Sequence, residues 1–357
     1  VQHAALGLFV SSLPRRPIGL AKRERATQNG TSFLAREPSM TNRTDLQDLM
    51  TVRDWLRYGV TRFEEAALTY GHGTDNAVDE AAFLILAYLR LPIEDAAPWL
   101  DCRLTLPERR GLLDLIEARI STRKPAPYLV RRAYIGAHRF HVDERVIVPR
   151  SFIGELLVRD QLAQFLPDPG GVQAILELCT GSGCLAILAA LQFPAADVVA
   201  SDISSDALDV AQINVTAYGL NDKVSLVQSD LFETLPAGAR YDLIIANPPY
   251  VTQAAVDAFP PEYRAEPQLA HLGGEDGLDL VTRIINDASR FLTDKGLLVV
   301  ELGQAREALE ALRPDLPFLW LDTETSEGEV FALTAAELAD FPAKSSKKAS
   351  PKRGSLS

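Results

Sequence analysis

Cysteine is scarce in this chain: Cys102, Cys179 and Cys184 are the only three in 357 residues. So odd and sparse a set supplies no disulfide framework and no paired metal-ligand spacing, and a reducing, cytoplasmic setting is the expectation. Histidine is nearly as rare, with five residues and none at ligand spacing to a cysteine, so no metal site is expected. No stretch reaches the roughly 18 apolar residues that cross a bilayer. The nearest, 78–91, is interrupted by Asp79, Glu80 and Arg90, and no membrane partner is expected. There is no phosphate-gripping loop ending in Gly-Lys-Ser/Thr, and no internal repeat.

What is present is acid, unevenly spread. The net charge is −12. Residues 1–40 carry six basic and two acidic side chains, and residues 341–357 carry five basic and none acidic. Once those ends are set aside, the middle of the chain stands at −21. Such a body disfavours duplex binding, which rests on neutralising phosphates, and no stable nucleic-acid partner is expected. It would attract a basic protein, although acid also serves plain solubility.

Length and pattern divide the chain. At 357 residues it exceeds one ordinary core. Residues 1–42 lack periodicity and read as an arm or an upstream extension; 342–357 read as a basic Lys/Ser tail. Between 43 and 150 a smaller helical domain is expected, with helices over 51–67, 79–91 (Asp79 as cap) and 107–120. Alternation over 134–148, broken at Asp143-Glu144, predicts a β-hairpin closed by Pro149-Arg150. From 151 to 341 the pattern turns to strand–helix alternation. Strands are expected at 174–178, 198–202, 224–228, 243–246, 297–301, 318–321 and 330–333. Helices are expected at 184–193, 205–218, 278–292 and 304–312. Apolar strands separated by helices make an α/β, Rossmann-like fold, a mostly parallel sheet with helices on both faces, and the last two strands can add an antiparallel edge.

Three strand ends carry chemistry. The segment Ile175-Leu-Glu-Leu-Cys-Thr-Gly-Ser-Gly-Cys184 closes the first strand of the sheet and opens a helix. Gly181 and Gly183 let the backbone turn sharply and approach a ligand, and Glu177 can reach a cationic or hydroxyl-bearing group. Taken alone, such a turn is shared with dinucleotide binders. Asp202, in Ala200-Ser-Asp-Ile-Ser204, ends the second strand and suits the two hydroxyls of an adenosine ribose. Asp230, in Gln228-Ser-Asp-Leu-Phe232, ends the third and suits the adenine amine, with Leu231 against the ring. Singly, either acid is more commonly a helix cap. Three polar ends at one carboxyl edge, where open parallel sheets bind ligands, point to a site.

The fourth strand runs into Asn247-Pro-Pro-Tyr250. Pro248 and Pro249 fix their own backbone angles, and Pro248 biases Asn247 towards an extended form. The Asn247 side-chain oxygen and the Pro248 carbonyl then form a rigid acceptor pair for a planar NH2 group, and Tyr250 can pack on its plane. In these segments and their order, the chain resembles the methyltransferases that act on planar amines and amides. Over about 45–335 it is further similar to the bacterial glutamine methyltransferases of the third large-subunit ribosomal protein (L-three). The stretches that carry this are Tyr70-Gly-His-Gly-Thr-Asp-Asn76, Val142-Asp-Glu-Arg-Val-Ile-Val-Pro-Arg-Ser151, Leu178-Cys-Thr-Gly-Ser-Gly-Cys184, Ser229-Asp-Leu-Phe232 and Pro261-Glu-Tyr-Arg-Ala-Glu-Pro267. Cys179 stands where broader methyltransferases carry glycine. Phe152 replaces an expected proline, the strand-ending acid is Glu177 rather than aspartate, and His271 and Leu272 interrupt a run usually made of small residues.

The resemblance implies a class I methyltransferase fold and S-adenosyl-L-methionine as cofactor. It implies cofactor contacts from Glu177, Cys179, Thr180, Gly181, Gly183, Asp202, Ile203, Asp230 and Leu231. Catalysis falls to Asn247, Pro248, Pro249 and Tyr250, which would hold the amide and stabilise positive charge growing on its nitrogen. The protein substrate implied is ribosomal protein L-three, docked on the 43–150 domain. No acidic general base is evident beside the motif, and the loop 252–277 is expected to overhang the site. Three alternatives remain: a release-factor glutamine methyltransferase, an adenine-amine methyltransferase, and a non-catalytic binder of the same cofactor. The acidic body argues against the second, and the amide clamp against the third.

Overall fold

The computed structural model describes residues 45–340; the expected arm (1–42) and basic tail (342–357) lie outside them. The chain divides into two compact units. The first holds the described residues up to Ala67 together with Ala77–Glu117. The second holds Leu68–Asn76 and everything from Ala118 onward.

The first unit is helical: α1 (Asp45–Asp48), α2 (Val52–Glu65), α3 (Ala77–Leu89) and most of α4 (Leu106–Thr122). On α2 the buried residues Val52, Trp55, Gly59 and Phe63 recur at helical spacing and form one apolar stripe. Its start is fixed by a capping box: the Asp54 amide donates to Thr51 Oγ1 at 3.2 Å, and the Thr51 amide to Asp54 Oδ2 at 2.8 Å. Helix α3 begins at Ala77, so Asp79 sits inside its first turn rather than capping it. An acid there still faces the positive end of the helix dipole.

The second unit opens with α5 (Ala126–Val130) and a short antiparallel hairpin, β1 (Ala133–Ile135) and β2 (His138–Phe140). The hairpin turns at 136–137, earlier than the Asp143-Glu144 break expected from the alternation. Asp143 does make a turn, its carbonyl accepting from the Val146 amide at 3.1 Å. The apolar residues on either side of it are buried without a strand partner: Val142, Val146 and Val148 pack with Tyr128, Ala133 and Val210. Alternation here reports burial against a helix rather than pairing. That packing also explains why the compact division falls after Glu117, while the sequence pattern changes near 150.

Then follow α6 (Phe152–Val158), β3 (Ala174–Leu178), α7 (Cys184–Gln192), β4 (Asp197–Asp202), α8 (Ser205–Ala217), β5 (Val224–Gln228) and β6 (Tyr241–Ala246). The chain continues through α9 (Gln253–Asp257), α10 (Asp279–Ala288), β7 (Leu292–Glu301), α11 (Arg306–Leu312), β8 (Leu319–Leu321), β9 (Val330–Thr334) and α12 (Ala335–Asp340). The helix expected over 278–292 stops at Ala288, because Leu292 already opens β7. The seven strands lie in the order β5-β4-β3-β6-β7-β9-β8. All pairs are parallel except those of β9, which runs antiparallel to β7 and β8. Alternate strand residues face opposite layers: Ile175, Leu243, Ile245 and Val299 meet α6 and α7, while Leu176, Ile244, Leu298 and Val300 meet α10. The chain thus forms the expected mostly parallel α/β sheet covered on both faces. Its order reverses between β3 and β6, and a crevice at the carboxyl ends of those strands is where such sheets take ligands.

Candidate active site

Parallel register brings the strand ends level. Leu178 of β3 lies opposite Ser201 of β4 and Ala246 of β6, and Asp202 lies opposite Gln228 of β5. The β3–α7 turn between them is tight. Cys179 (φ +59°) adopts the left-handed backbone that glycine prefers. Gly183 (φ +78°) precedes α7, and a Cβ there would stand 3.0 Å from Ala211 Cβ. In front of Gly181 there is open space: a Cβ on it would meet nothing within 4 Å.

Glu177 does not face that space. It is buried, accepts from the Ala186 amide of α7 at 2.9 Å, and also accepts from the Thr180 hydroxyl. Burial pushes its pKa up to about 8, against those two bonds. Its carboxyl therefore ties the turn to the first amides of α7. Asp202 organises the turn from the other side: Oδ2 accepts from the Gly181 amide and Oδ1 from the Ser204 amide, both at 2.9 Å. Burial raises its pKa, and these backbone bonds work against that rise. Ile203, next along the chain, is 49% exposed, an unusual state for a large apolar residue at the end of an inner strand. Asp230 is part-exposed and paired with Arg283 Nη2 of α10 at 3.0 Å, and Leu231 (φ +50°) is buried behind it.

The Asn247–Tyr250 segment leaves β6 beside this turn. Pro248 is buried; Asn247, Pro249 and Tyr250 are half-buried. Among the described residues the Asn247 side chain has no hydrogen-bond partner, so its oxygen and nitrogen remain available to a ligand. Tyr250 is wedged against the backbone after β7: a Cβ on Gly303 (φ +56°) would stand 2.7 Å from its ring. Burial, followed by the Glu301 carboxyl, pushes its hydroxyl pKa up.

Glu301 was not singled out by the sequence reading. It ends β7, is buried, and accepts from the Ser151 hydroxyl at 2.6 Å and from the Phe152 and Ile153 amides at 2.9 and 3.4 Å. Burial lifts its pKa to about 7. A signal was present: an acid closing an apolar strand, the pattern that drew attention to Asp202. Arg283 was also missed, and nothing in its local sequence marks it; Ser204 and Ser151 fall within quoted stretches, each just before a helix, but were given no role. A cavity of about 310 Å³ lies along the following loop, lined by Phe259, Tyr263, Glu266, Gln268 and His271 among others; neither Asn247 nor the glycine turn lines it. Among the described residues no group of three or more His, Cys, Asp or Glu could hold a metal, and no helix is long and apolar enough to cross a membrane.

Comparison with known proteins fits this geometry. Residues 159–259 match the methyltransferase small domain. The chain is 53% identical over 292 residues to the ribosomal protein uL3 glutamine methyltransferase of Bordetella pertussis, covering 82% of this chain and 97% of that protein. It is 52% identical to the protein of the same name from Burkholderia pseudomallei, over 81% of this chain and 95% of that one. For Bradyrhizobium diazoefficiens the figures are 51%, 82% and 92%. Identity above one half, sustained over 82% of its length, means that the chain belongs to the ribosomal protein uL3 glutamine methyltransferase family.

Proposed function

We propose that this enzyme methylates the side-chain amide nitrogen of a glutamine in ribosomal protein uL3, at the crevice between β3 and β6. The observation that carries this reading is the Asn247 side chain, half-buried and without a protein partner, beside the open glycine turn. The residues of that turn fit S-adenosyl-L-methionine. The space in front of Gly181 admits a ligand against the backbone. The Asp202 carboxylate, held by two amides, keeps lone pairs for ribose hydroxyls, and exposed Ile203 offers an apolar face to the adenine ring. Asp230 and Leu231 close the adenine end, with Arg283 restraining Asp230. Glu177, Cys179, Thr180 and Gly183 shape the loop. When bound, the cofactor supplies the methyl group as a sulfonium-activated carbon.

The chain's own residues meet the difficulty of the amide, whose nitrogen lone pair is shared with its carbonyl. The Asn247 side-chain oxygen and the Pro248 carbonyl accept its two N–H groups and turn the nitrogen towards the cofactor side. They also stabilise the positive charge that develops there. Pro249 and Tyr250 keep this pair rigid. Glu301 is committed to Ser151 and the first amides of α6, so the amide proton leaves to water rather than to a protein base. The helical first unit is the docking surface for the substrate protein. The acidic body complements a basic ribosomal partner, and the action is cytoplasmic, where ribosomal proteins are made.

Asn247→Ala tests the reading. It should leave folding and cofactor affinity nearly unchanged and cut single-turnover methylation of purified uL3 by about 10²–10³, the worth of one preorganised contact to developing charge. Intact-protein mass reads the product, with a release factor as the competing substrate. Methyl transfer at the parent rate would refute the clamp; preferential methylation of the release factor would refute the substrate.

A further inference from the structure

Two segments matched in the sequence have no role in the amide clamp: 70–76 and 261–267. The structure joins them, within the second unit, through two buried carboxylates. Glu262 accepts from the Thr69 amide at 3.1 Å and from Arg123 Nη1 at 3.2 Å. Glu266 is the denser centre. Arg150 grips it with two bonds of 2.6 and 2.7 Å, and the Val148 amide donates to it at 2.8 Å. His271 Nε2 stands 3.0 Å from Glu266 Oε2, and His72 Nε2 stands 3.6 Å from the same oxygen. Burial works to raise the Glu266 pKa, but Arg150, His271 and His72 hold it well below the usual carboxylate range. The His72 ring also packs on Tyr263, with centroids 4.4 Å apart.

This centre reaches the amide clamp through the backbone. Residue Val251 follows Tyr250 directly. Its amide donates to the His271 carbonyl at 2.8 Å, and its carbonyl accepts from the Gly273 amide at 2.9 Å. The far end of the Asn247–Tyr250 turn is therefore fixed by the backbone at 271–273. The His271 side chain pins that backbone to Glu266, and Arg150 pins Glu266 to the segment that leads into α6. Ser151, the next residue, reaches Glu301 and so the Tyr250 side of the turn.

We propose that Glu266 is a positioning residue for methyl transfer: through His271 it fixes the end of the Asn247–Tyr250 turn, with Arg150 and His72 holding Glu266 in place. The proposal rests on the amide-clamp reading. Misplacement of about 1 Å in a reacting geometry can cost about 10² in rate.

The experiment compares His271→Leu with His271→Gln in the full chain, with uL3 and cofactor at saturation, well below each variant's melting temperature. Leucine removes the imidazole that faces Glu266 Oε2; glutamine returns a polar group at similar reach. His271→Leu should lower kcat by about tenfold or more, His271→Gln should recover most of that loss, and cofactor Kd by calorimetry should stay within about twofold for both. A folded His271→Leu enzyme with parental kcat overturns the proposal. So does an equal fall in both variants that merely follows the folded fraction. If His271→Leu does not fold, Arg150→Lys decides by the same readouts, since lysine keeps the charge but loses the two-bond grip. Asn247→Ala runs alongside. If it is inactive while His271→Leu is not, the positioning role alone fails; if it keeps the parent rate, the clamp reading fails first.

Discussion

The two halves of the sheet's carboxyl edge are built by different means. At β3 and β4 the polar groups serve the β3–α7 and β4–α8 turns beside them. Glu177 holds Thr180 and Ala186, and Asp202 holds Gly181 and Ser204. At β6 and β7 the carboxylates gather distant pieces of chain. Glu301 reaches back to Ser151–Ile153, and Glu266 joins residues 72, 148, 150 and 271. A cofactor of fixed shape needs a local cradle, which one strand–turn–helix supplies. In the proposed site a protein side chain is held against a turn whose prolines fix its local shape, and long-range contacts fix where that turn stands.

The largest test of this contrast pairs one acid from each half. Glu301→Ala leaves the Ser151 hydroxyl and the Phe152 amide without their acceptor in a buried place. It should cost about 2–3 kcal/mol of stability, or about 5–10 °C in melting temperature. Asp202→Ala should instead act on binding. Adenosylmethionine affinity should fall by about 1.5–3 kcal/mol, the worth of hydrogen bonds to a charged group, with a much smaller change in the melting curve. Calorimetry and thermal melts on both variants read the two effects. If Asp202→Ala melts far lower yet binds as before, the ribose role is wrong and Asp202 is a structural cap.

Titration gives the next effect. Glu177 and Glu301 have folded pKa values raised to about 8 and about 7, both through burial. The folded protein therefore keeps protons that the unfolded chain gives up in the ordinary carboxylate range. Their contribution to stability is full below that range and is lost as pH rises through about 7 for Glu301 and about 8 for Glu177. Each adds a slope of up to about 1.4 kcal/mol per pH unit. Urea midpoints measured from pH 5 to pH 9 should fall with pH. Glu301→Gln should flatten the lower part of the curve and Glu177→Gln the whole of it. A parent curve that rises over this interval would mean that both carboxyls are ionised in the folded state.

The same contrast explains what could be read without coordinates. Strands β3 and β5 fall on their expected residues, because an apolar run between helices has few other readings. The glycine turn and the acids at 202 and 230 were legible because each belongs to a single strand end. Glu266 and Glu301 were not, since Arg150, Val148, His72 and Ser151 lie more than 100 residues from the carboxylates they meet, and no periodicity encodes such pairings. Glu177 was legible as a residue but not in its direction. An alternating strand fixes which face a side chain takes, and leaves open whether a helix amide behind it will claim the carboxyl.

Cys179 offers the smallest test and the most local one. Its φ of +59° places an L side chain in the left-handed region, where a non-glycine residue costs about 1–2 kcal/mol. Glycine there removes that strain but gives back about 0.5–1 kcal/mol of backbone entropy. It also gives up the packing of a part-buried side chain against the β3–β6 layer. The terms nearly cancel, so Cys179→Gly should change stability by less than about 1 kcal/mol. Cys179→Ala keeps the strain and loses the sulfur contacts, so it should be the less stable of the two. Burial pushes the thiol pKa up, so the side chain stays a neutral apolar wall rather than a nucleophile. Cofactor affinity should then hold within about twofold in both variants, because in the proposed site the groups that meet the cofactor are the Gly181 backbone and Asp202. Urea melts and calorimetry settle the order. If Cys179→Gly loses cofactor binding tenfold while Cys179→Ala does not, the cofactor half depends on a rigid residue at this position, and its cradle is less local than Glu177 and Asp202 make it.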